Sequence, residues 1–360
     1  DVVSVPVIGV GRMNDPALML SALRTGAMDF VALGRESVCD PHLPEKIKEG
    51  RLDEILTCTG CMQRCLYPNS FEEGFGISCM INPFSGKEHI WEITPAEKKK
   101  KIAVVGAGPV GLQAAWILAK RGHEVKVYEK ETTAGGQYRL AAVPAMKQEL
   151  AKTISTYLTF CKNYGAEVIY GVKATKEMLE QEGFDEIILA CGAQPLVPRI
   201  PGIDGENVYL ANQVLSFDVR LSGQKILVLG AGLVGAEAAE VLSTYGNKVT
   251  VVDMLDKAAP LAPLRPRENL LSRLDKAGVG FCLNSRVCEI RPDGIRYEQN
   301  GETKEMTGFD SIVLAFGSRS DKALEAEYEG DPRIHSVGDC LTAGDAKKGI
   351  YEATKLAMVL

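Results

Sequence analysis

Two glycine-rich turns constrain this chain more than any other feature. Ile102-Ala103-Val104-Val105 runs into Gly106-Ala107-Gly108-Pro109-Val110-Gly111, and 124 residues later Lys225-Ile226-Leu227-Val228-Leu229 runs into Gly230-Ala231-Gly232-Leu233-Val234-Gly235. In such a segment the first glycine permits the tight strand-to-helix turn. The second lets the backbone approach a pyrophosphate, and the third lets helix and strand pack closely. The phosphates then meet unsatisfied N–H groups at the helix N-terminus. Each copy predicts a helix, to about Arg121 and about Tyr245, then a second strand, Glu124–Glu129 and Lys248–Asp253. Each second strand ends on an acid, Glu129 or Asp253, 23 residues beyond its first glycine, where a carboxylate accepts hydrogen bonds from a ribose diol. The copies are too far apart for a solenoid repeat and read as two separate nucleotide-binding domains of one type.

Length and charge narrow the partners. A chain of 360 residues with 24% charged side chains suits two or three ordinary globular domains. The net charge of −6 argues against nucleic acid, which needs a basic footprint. No run of about 18 apolar residues predicts a membrane span, and no stretch reads as a signal peptide. Ten cysteines without a secretory signal point to a reducing, cytoplasmic setting, where they serve as metal ligands or buried thiols more than as disulfides.

Before the first glycine turn lie two further segments. Val5–Val10 and Asp29–Leu33 read as buried strands around a helix from about Asp15 to Thr25, a parallel β-α-β unit. The strands lead into Gly11-Arg12 and Gly34-Arg35, and glycine beside a guanidinium suits a phosphate, though solvent arginines after turns would look the same. The chain opens at Asp1 on an apolar run, which suggests that the sequence lacks its natural N-terminus. Residues 51–100 show little periodicity and end in Glu97-Lys98-Lys99-Lys100-Lys101, read as a solvated linker. They hold Cys58, Cys61, Cys65 and Cys79, spaced C-x₂-C-x₃-C-x₁₃-C. Four thiolates so close in a loop suit a [4Fe–4S] cluster or a structural zinc, and redox neighbours favour iron–sulfur. Cys39, Cys161, Cys191, Cys282, Cys288 and Cys340 are scattered and read mostly as small core residues.

Other positions bear on the cofactors. Beyond Asp253 stand Met254, Leu255 and Asp256, with Lys257 the one nearby cation, which favours NADH over NADPH. Gly135-Gly136-Gln137 would let the chain pass close to a flavin or pyrophosphate, and Asp339 in Ser336-Val337-Gly338-Asp339 suits a ribityl hydroxyl.

Together these motifs resemble, over the whole chain, the 2,4-dienoyl-CoA reductase and 2-enoate reductase branch of the Old Yellow Enzyme flavoproteins, whose layout trimethylamine dehydrogenase shares. The resemblance implies an α/β architecture of two Rossmann-like domains, an NAD domain inserted into an FAD domain, preceded by an iron–sulfur loop and the last strands of a truncated (β/α)₈ barrel. The implied boundaries are 1–50 for the barrel remnant, 51–100 for the cluster loop and linker, 101–215 with 326–360 for FAD, and 216–325 for NAD(P). It implies that Gly11, Arg12, Gly34 and Arg35 bind the phosphate of FMN, and that Cys58, Cys61, Cys65 and Cys79 hold [4Fe–4S]. Gly106, Gly108, Val110, Gly111, Glu129, Gly136, Gln137, Gly338 and Asp339 would hold FAD, with Gly171-Val172 near its adenine. Gly230, Gly232, Gly235 and Asp253 would hold NAD(H), and Gly192 and Gly317 would sit at the crossovers between domains. The implied reaction takes electrons from NADH through FAD and the cluster to FMN, for reduction of a small activated alkene, an enoate or enoyl thioester. Catalytic side chains would lie in the absent part of the barrel. Two rivals remain at this stage, an amine dehydrogenase passing electrons to a carrier protein and a non-catalytic electron-transfer subunit. The sequence leaves oligomerisation open.

Overall fold

The structure, a computed structural model, describes residues 3–67 and 76–360. Its first elements are short. β1 (Ile8–Gly9) and β2 (Phe30–Val31) pair in parallel on either side of α1 (Pro16–Arg24). Asp15 caps α1 by accepting from the Ala17 N–H at 2.9 Å, with Pro16 at the first helical position. The expected buried strands are corrected here. Val5, Ile8, Val10 and Phe30 are 66%, 63%, 75% and 59% exposed. β1 has β2 as its partner strand and leaves its apolar run exposed, whereas Val31 and Leu33 of the second run are half-buried against Met19, Leu43 and Ile55. Two short helices follow, α2 (Arg35–Cys39) and α3 (Leu43–Lys48). From Ile55 to Lys100 the described residues form no helix or strand. Glu97, Lys98 and Lys99 are exposed, as a solvated linker requires, but Lys100 is fastened to Glu186 at 2.7 Å.

Next come β3 (Lys101–Val105), α4 (Pro109–Lys120), β4 (Glu124–Glu129), α5 (Gln137–Ala141), α6 (Glu149–Tyr164), β5 (Glu167–Tyr170), α7 (Lys176–Glu182) and β6 (Glu186–Leu189). In β3 every residue after Lys101 is buried, as a continuous apolar strand between two helical layers must be. β7 (Ala193–Pro195), β8 (Val208–Leu210) and α8 (Ala211–Leu215) lead to β9 (Lys225–Leu229), α9 (Leu233–Thr244) and β10 (Lys248–Val252). α10 (Leu264–Lys276) and β11 (Gly280–Cys282) precede the antiparallel meander β12 (Ser285–Arg291), β13 (Gly294–Gln299) and β14 (Glu302–Thr307). The chain closes through β15 (Ser311–Leu314), β16 (Ser318–Ser320), α11 (Ala323–Ala326), β17 (Ile334–Ser336) and α12 (Ala346–Val359).

These elements form two compact units. One comprises residues 1–136, 149–192 and 322–360, and its parallel sheet has the order β17-β6-β3-β4-β5. The other comprises 137–148 and 193–321, with the parallel order β11-β10-β9-β15-β8. The second unit is therefore inserted into the first, and β17 rejoins the first sheet after the insertion. The boundary falls earlier than the sequence suggests. Residues 193–215 fold with the second unit, because β8 pairs in parallel with β15 and β7 pairs with β16. The two crossover segments are thus hydrogen-bonded to each other, Ala193 opposite Ser320. Among the described residues no helix is long and apolar enough to cross a membrane.

Candidate functional site: two nucleotide cradles and a cysteine pocket

The first glycine turn builds a cradle at the C-terminal edge of its sheet, the position where open α/β sheets bind ligands. Gly106 has φ +109°, and a side chain there would strike the Ala190 carbonyl oxygen at 2.4 Å. A side chain at Gly111 would come within 1.9 Å of the Gly106 carbonyl oxygen. At Gly108, the N-cap of α4, an added carbon would meet nothing within 4 Å. Two glycines are demanded by packing, and the middle one opens onto space where a pyrophosphate has room.

Glu129, 5% exposed, completes the cradle. Its Oε2 accepts from the Ala107 N–H at 2.8 Å and its Oε1 from the Glu131 N–H at 2.9 Å. Its own carbonyl accepts from the Val172 N–H at 2.9 Å, so Val172 stands beside the acid. The Gly135 N–H donates to the Ala107 carbonyl at 2.8 Å, which brings Gly136 within van der Waals range of Gly108. Gln137 turns elsewhere and donates to the Ala193 carbonyl at 2.5 Å. The C-terminal segment roofs this cradle. A side chain at Gly338 or Gly349 would meet Val110 at 3.1 or 2.7 Å, so both glycines stand beside it, and the Gly338 N–H donates to Glu352 at 3.1 Å. Asp339 accepts from the Gly344 N–H at 3.0 Å, and burial pushes its carboxyl up. Ala190, Gly349 and Glu352 are partners that sequence reading misses, since no local pattern marks them. Gly192 follows at φ +79°.

The second turn repeats this construction. Gly230 has φ +112°, and a side chain there would strike the Ala315 carbonyl oxygen at 2.3 Å; one at Gly235 would come within 1.9 Å of the Gly230 carbonyl oxygen, and one at Gly232 would meet nothing within 4 Å. Asp253 accepts from the Ala231 N–H at 2.5 Å and from the Leu255 N–H at 2.8 Å. The Ala259 N–H donates to the Ala231 carbonyl at 2.7 Å, as Gly135 does to Ala107. Around Asp253 the surface is open: Met254 is 65% exposed and Leu261 97%. Arg267 is held by the Ala258 carbonyl at 2.7 Å and Arg265 by Glu268 at 3.5 Å. Gly317 lies on the crossover, where its carbonyl accepts from the Leu196 N–H at 2.9 Å.

Cys58, Cys61, Cys65 and Cys79 line one pocket together with Arg35 and Arg64. Burial pushes the Cys61 thiol up to about 12 and raises those of Cys58 and Cys65. Cys79 is held down because the Cys39 thiol hydrogen-bonds its sulfur. Among the described residues no three His, Cys, Asp or Glu side chains converge tightly enough for a single metal ion. Four cysteine side chains lining one pocket are a donor set that fits an iron–sulfur cubane. Arg35 Nη1 is buried and, among the described residues, has no hydrogen-bond partner. A guanidinium with one such nitrogen at this pocket fits an anionic occupant. Arg12 lies nearby, within 3.5 Å of the position a side chain at Gly60 would take, and pairs with Glu149 at 2.6 Å. Both arginines read from sequence as phosphate binders are thus brought to the cysteine loop, while Gly11 (φ +123°) and Gly34 end their strands as turns.

Residues 100–353 match the pyridine nucleotide-disulphide oxidoreductase family, and residues 1–54 match the NADH:flavin oxidoreductase / NADH oxidase family. An NADH oxidase of Thermoanaerobacter brockii is 35% identical over 95% of this chain and 54% of its own length. A cinnamate reductase of Clostridium sporogenes is 33% identical over 99% of this chain and 53% of its own. A solved 2-naphthoyl-CoA reductase in complex with 2-naphthoyl-CoA superposes with a TM-score of 0.93 at 30% identity, over all of this chain and 55% of its own. The chain spans about half the length of the curated relatives it matches.

Proposed function

The chain belongs to the pyridine nucleotide-disulphide oxidoreductase family, as a 2-enoate reductase-like NADH:flavin oxidoreductase, and on that premise we propose that it is the electron-input part of an enzyme that reduces activated alkenes. In this reading electrons pass from NADH by way of FAD and a [4Fe–4S] cluster to FMN, the protein's part being to bind, orient and electrically tune these groups. The observation that carries it is the conjunction, in one chain, of two cradles of the same construction with a four-cysteine pocket. The first cradle would hold FAD, its pyrophosphate over Gly108 and its adenosine ribose on Glu129. The second would hold NADH, with Gly232 and Asp253 in the same parts. Cys58, Cys61, Cys65 and Cys79 would hold the cluster, with Arg35 offsetting its negative charge. In this reading β1 and β2 are strands of a β/α barrel, in line with the match of residues 1–54 to the NADH:flavin oxidoreductase / NADH oxidase family.

Within this reading Gly11-Arg12 and Gly34-Arg35 would supply the FMN phosphate end alone, without the strands that hold the ring. The substrate class, a small unsaturated carboxylate or thioester, is drawn from relatives whose names include cinnamate reductase and 2-naphthoyl-CoA reductase. Glycine spacing, an open middle position and an acid at Asp253 held as Glu129 is favour working NAD chemistry over an amine dehydrogenase with an idle second domain.

The test is anaerobic reconstitution with FAD, FMN, iron and sulfide. The chain is expected to retain FAD and about four irons, with little FMN. Cys61→Ala should abolish the cluster and leave FAD bound, because the first cradle stands on its own core. Zinc in place of iron in anaerobically prepared wild type would overturn the electron-relay reading.

A further inference from the structure

Arg64 stands between the ligand candidates Cys61 and Cys65 and lines their pocket, yet is only 7% exposed. Its guanidinium lies over the Tyr351 ring, 4.8 Å from the centroid. Lys87, 1% exposed, lies over the same ring at 4.6 Å and over Trp91 at 4.9 Å. Trp91 stacks on Tyr351 with centroids 5.4 Å apart and planes 21° from parallel. Tyr351 belongs to α12, the helix whose Gly349 stands beside Val110 and Gly338 and whose Glu352 accepts from the Gly338 N–H. One helix therefore touches both the roof of the first cradle and the cysteine loop.

An aromatic face attracts a cation through its quadrupole, and the attraction grows when water is excluded. A cation kept beside an iron–sulfur cluster stabilises the state carrying the extra electron, since charge and sulfur environment set the potential. Partial burial leaves that interaction little screened by salt. We propose that Tyr351 is a positioning residue which holds Arg64 against the cysteine pocket, so that the guanidinium biases the bound cluster toward its reduced form. This rests on the reading that the pocket holds [4Fe–4S]. It assigns to α12 a second task, distinct from roofing the flavin cradle: keeping the electron acceptor easy to reduce.

The experiment is potentiometric titration of the reconstituted cluster, followed by the paramagnetic signal of its reduced state. Arg64→Met is expected to shift the reduction equilibrium about tenfold toward the oxidised form, which is about 59 mV for one electron. Tyr351→Leu should shift it in the same direction by less. Tyr351→Phe keeps the ring face and Arg64→Lys keeps the charge, so both should stay close to wild type. The double variant Arg64→Met/Tyr351→Leu should match Arg64→Met alone, because the ring acts through the guanidinium. Unchanged midpoints in Arg64→Met and Tyr351→Leu with intact clusters would overturn the inference and leave the proposed function standing. Additive shifts in the double variant would overturn it too, since Tyr351 would then act independently. If Arg64→Met assembles no cluster, the contrast between Tyr351→Leu and Tyr351→Phe decides. A wild type that takes up no iron would overturn the proposed function itself, and the inference with it.

Discussion

The two glycine cradles share a backbone and differ in what covers it. Gly106, Ala107, Gly111 and Glu129 make the same contacts as Gly230, Ala231, Gly235 and Asp253, down to the acid that receives the N–H after the first glycine. At the second helical position, however, Val110 lies under Gly338 and Gly349, while its counterpart Val234 is 44% exposed. Glu129 is 5% exposed and Asp253 is half-buried, while the four residues after each acid stand in solvent alike. A roofed cradle suits a cofactor that stays; an open one suits a dinucleotide that must leave after each turnover. In the proposed reading, a resident and an exchanging nucleotide would differ in the cover and not in the glycine motif.

The largest expected effect tests whether the cradles work separately. Gly111→Val and Gly235→Val each force a side chain onto a backbone carbonyl oxygen at 1.9 Å. Overpacking of this kind costs about 1–3 kcal/mol or more, and a backbone atom has little freedom to give way. Gly111→Val should yield a chain without flavin. Gly235→Val should keep its flavin absorbance and lose its bleaching by NADH. Loss of flavin from both would show that the second unit supports the first and would end the comparison.

A smaller effect probes the roof. Gly349→Val would bring a carbon within 2.7 Å of Val110 and lift α12 from the cradle. FAD affinity should fall by about 10- to 100-fold, roughly 1.4–2.8 kcal/mol, while the affinity of the flavin-loaded chain for NADH stays unchanged. Equilibrium dialysis against FAD and titration with NADH measure the two separately. An unaltered FAD affinity would mean that the cover plays no part in retention.

How far the sequence reveals this follows from where the determinants lie. The strand–glycine–helix segments and their acids are legible because every signal falls within about 25 residues and rests on spacing alone. The insertion follows from the family resemblance, which the late return of Gly338-Asp339 fits. The roof is not legible, since Gly349 and Glu352 meet Val110 and Gly338 through tertiary packing that leaves no pattern around Val110. The same holds for Arg64 and Tyr351, which no motif joins. β8 escapes because three half-buried residues carry no strong period, so its pairing with β15 appears only in three dimensions. At β1 the apolar run predicts burial, but burial requires neighbouring strands that the run cannot itself provide.

The last and smallest effect concerns the open mouth of the second cradle. Asp253→Ala should narrow the preference for NADH over NADPH in reduction of the bound flavin. In the wild type the carboxylate, already oriented by the Ala231 and Leu255 N–H groups, is placed to accept from the adenosine ribose. Against NADPH the same carboxylate faces a phosphate of about two negative charges. Losing a hydrogen bond to a charged group and adding repulsion gives about 1.4–2.8 kcal/mol of discrimination, roughly 10- to 100-fold. The cations able to cancel this are Lys257, exposed four residues on, and Arg265 and Arg267. Arg267 donates through its Nε to the Ala258 carbonyl and Arg265 pairs with Glu268. Stopped-flow reduction with each nucleotide at matched concentration measures the gap in wild type and variant. Equal wild-type rates, or a preference for NADPH, would show that these cations override Asp253, and the likeness of the two acids would then end at their backbone contacts.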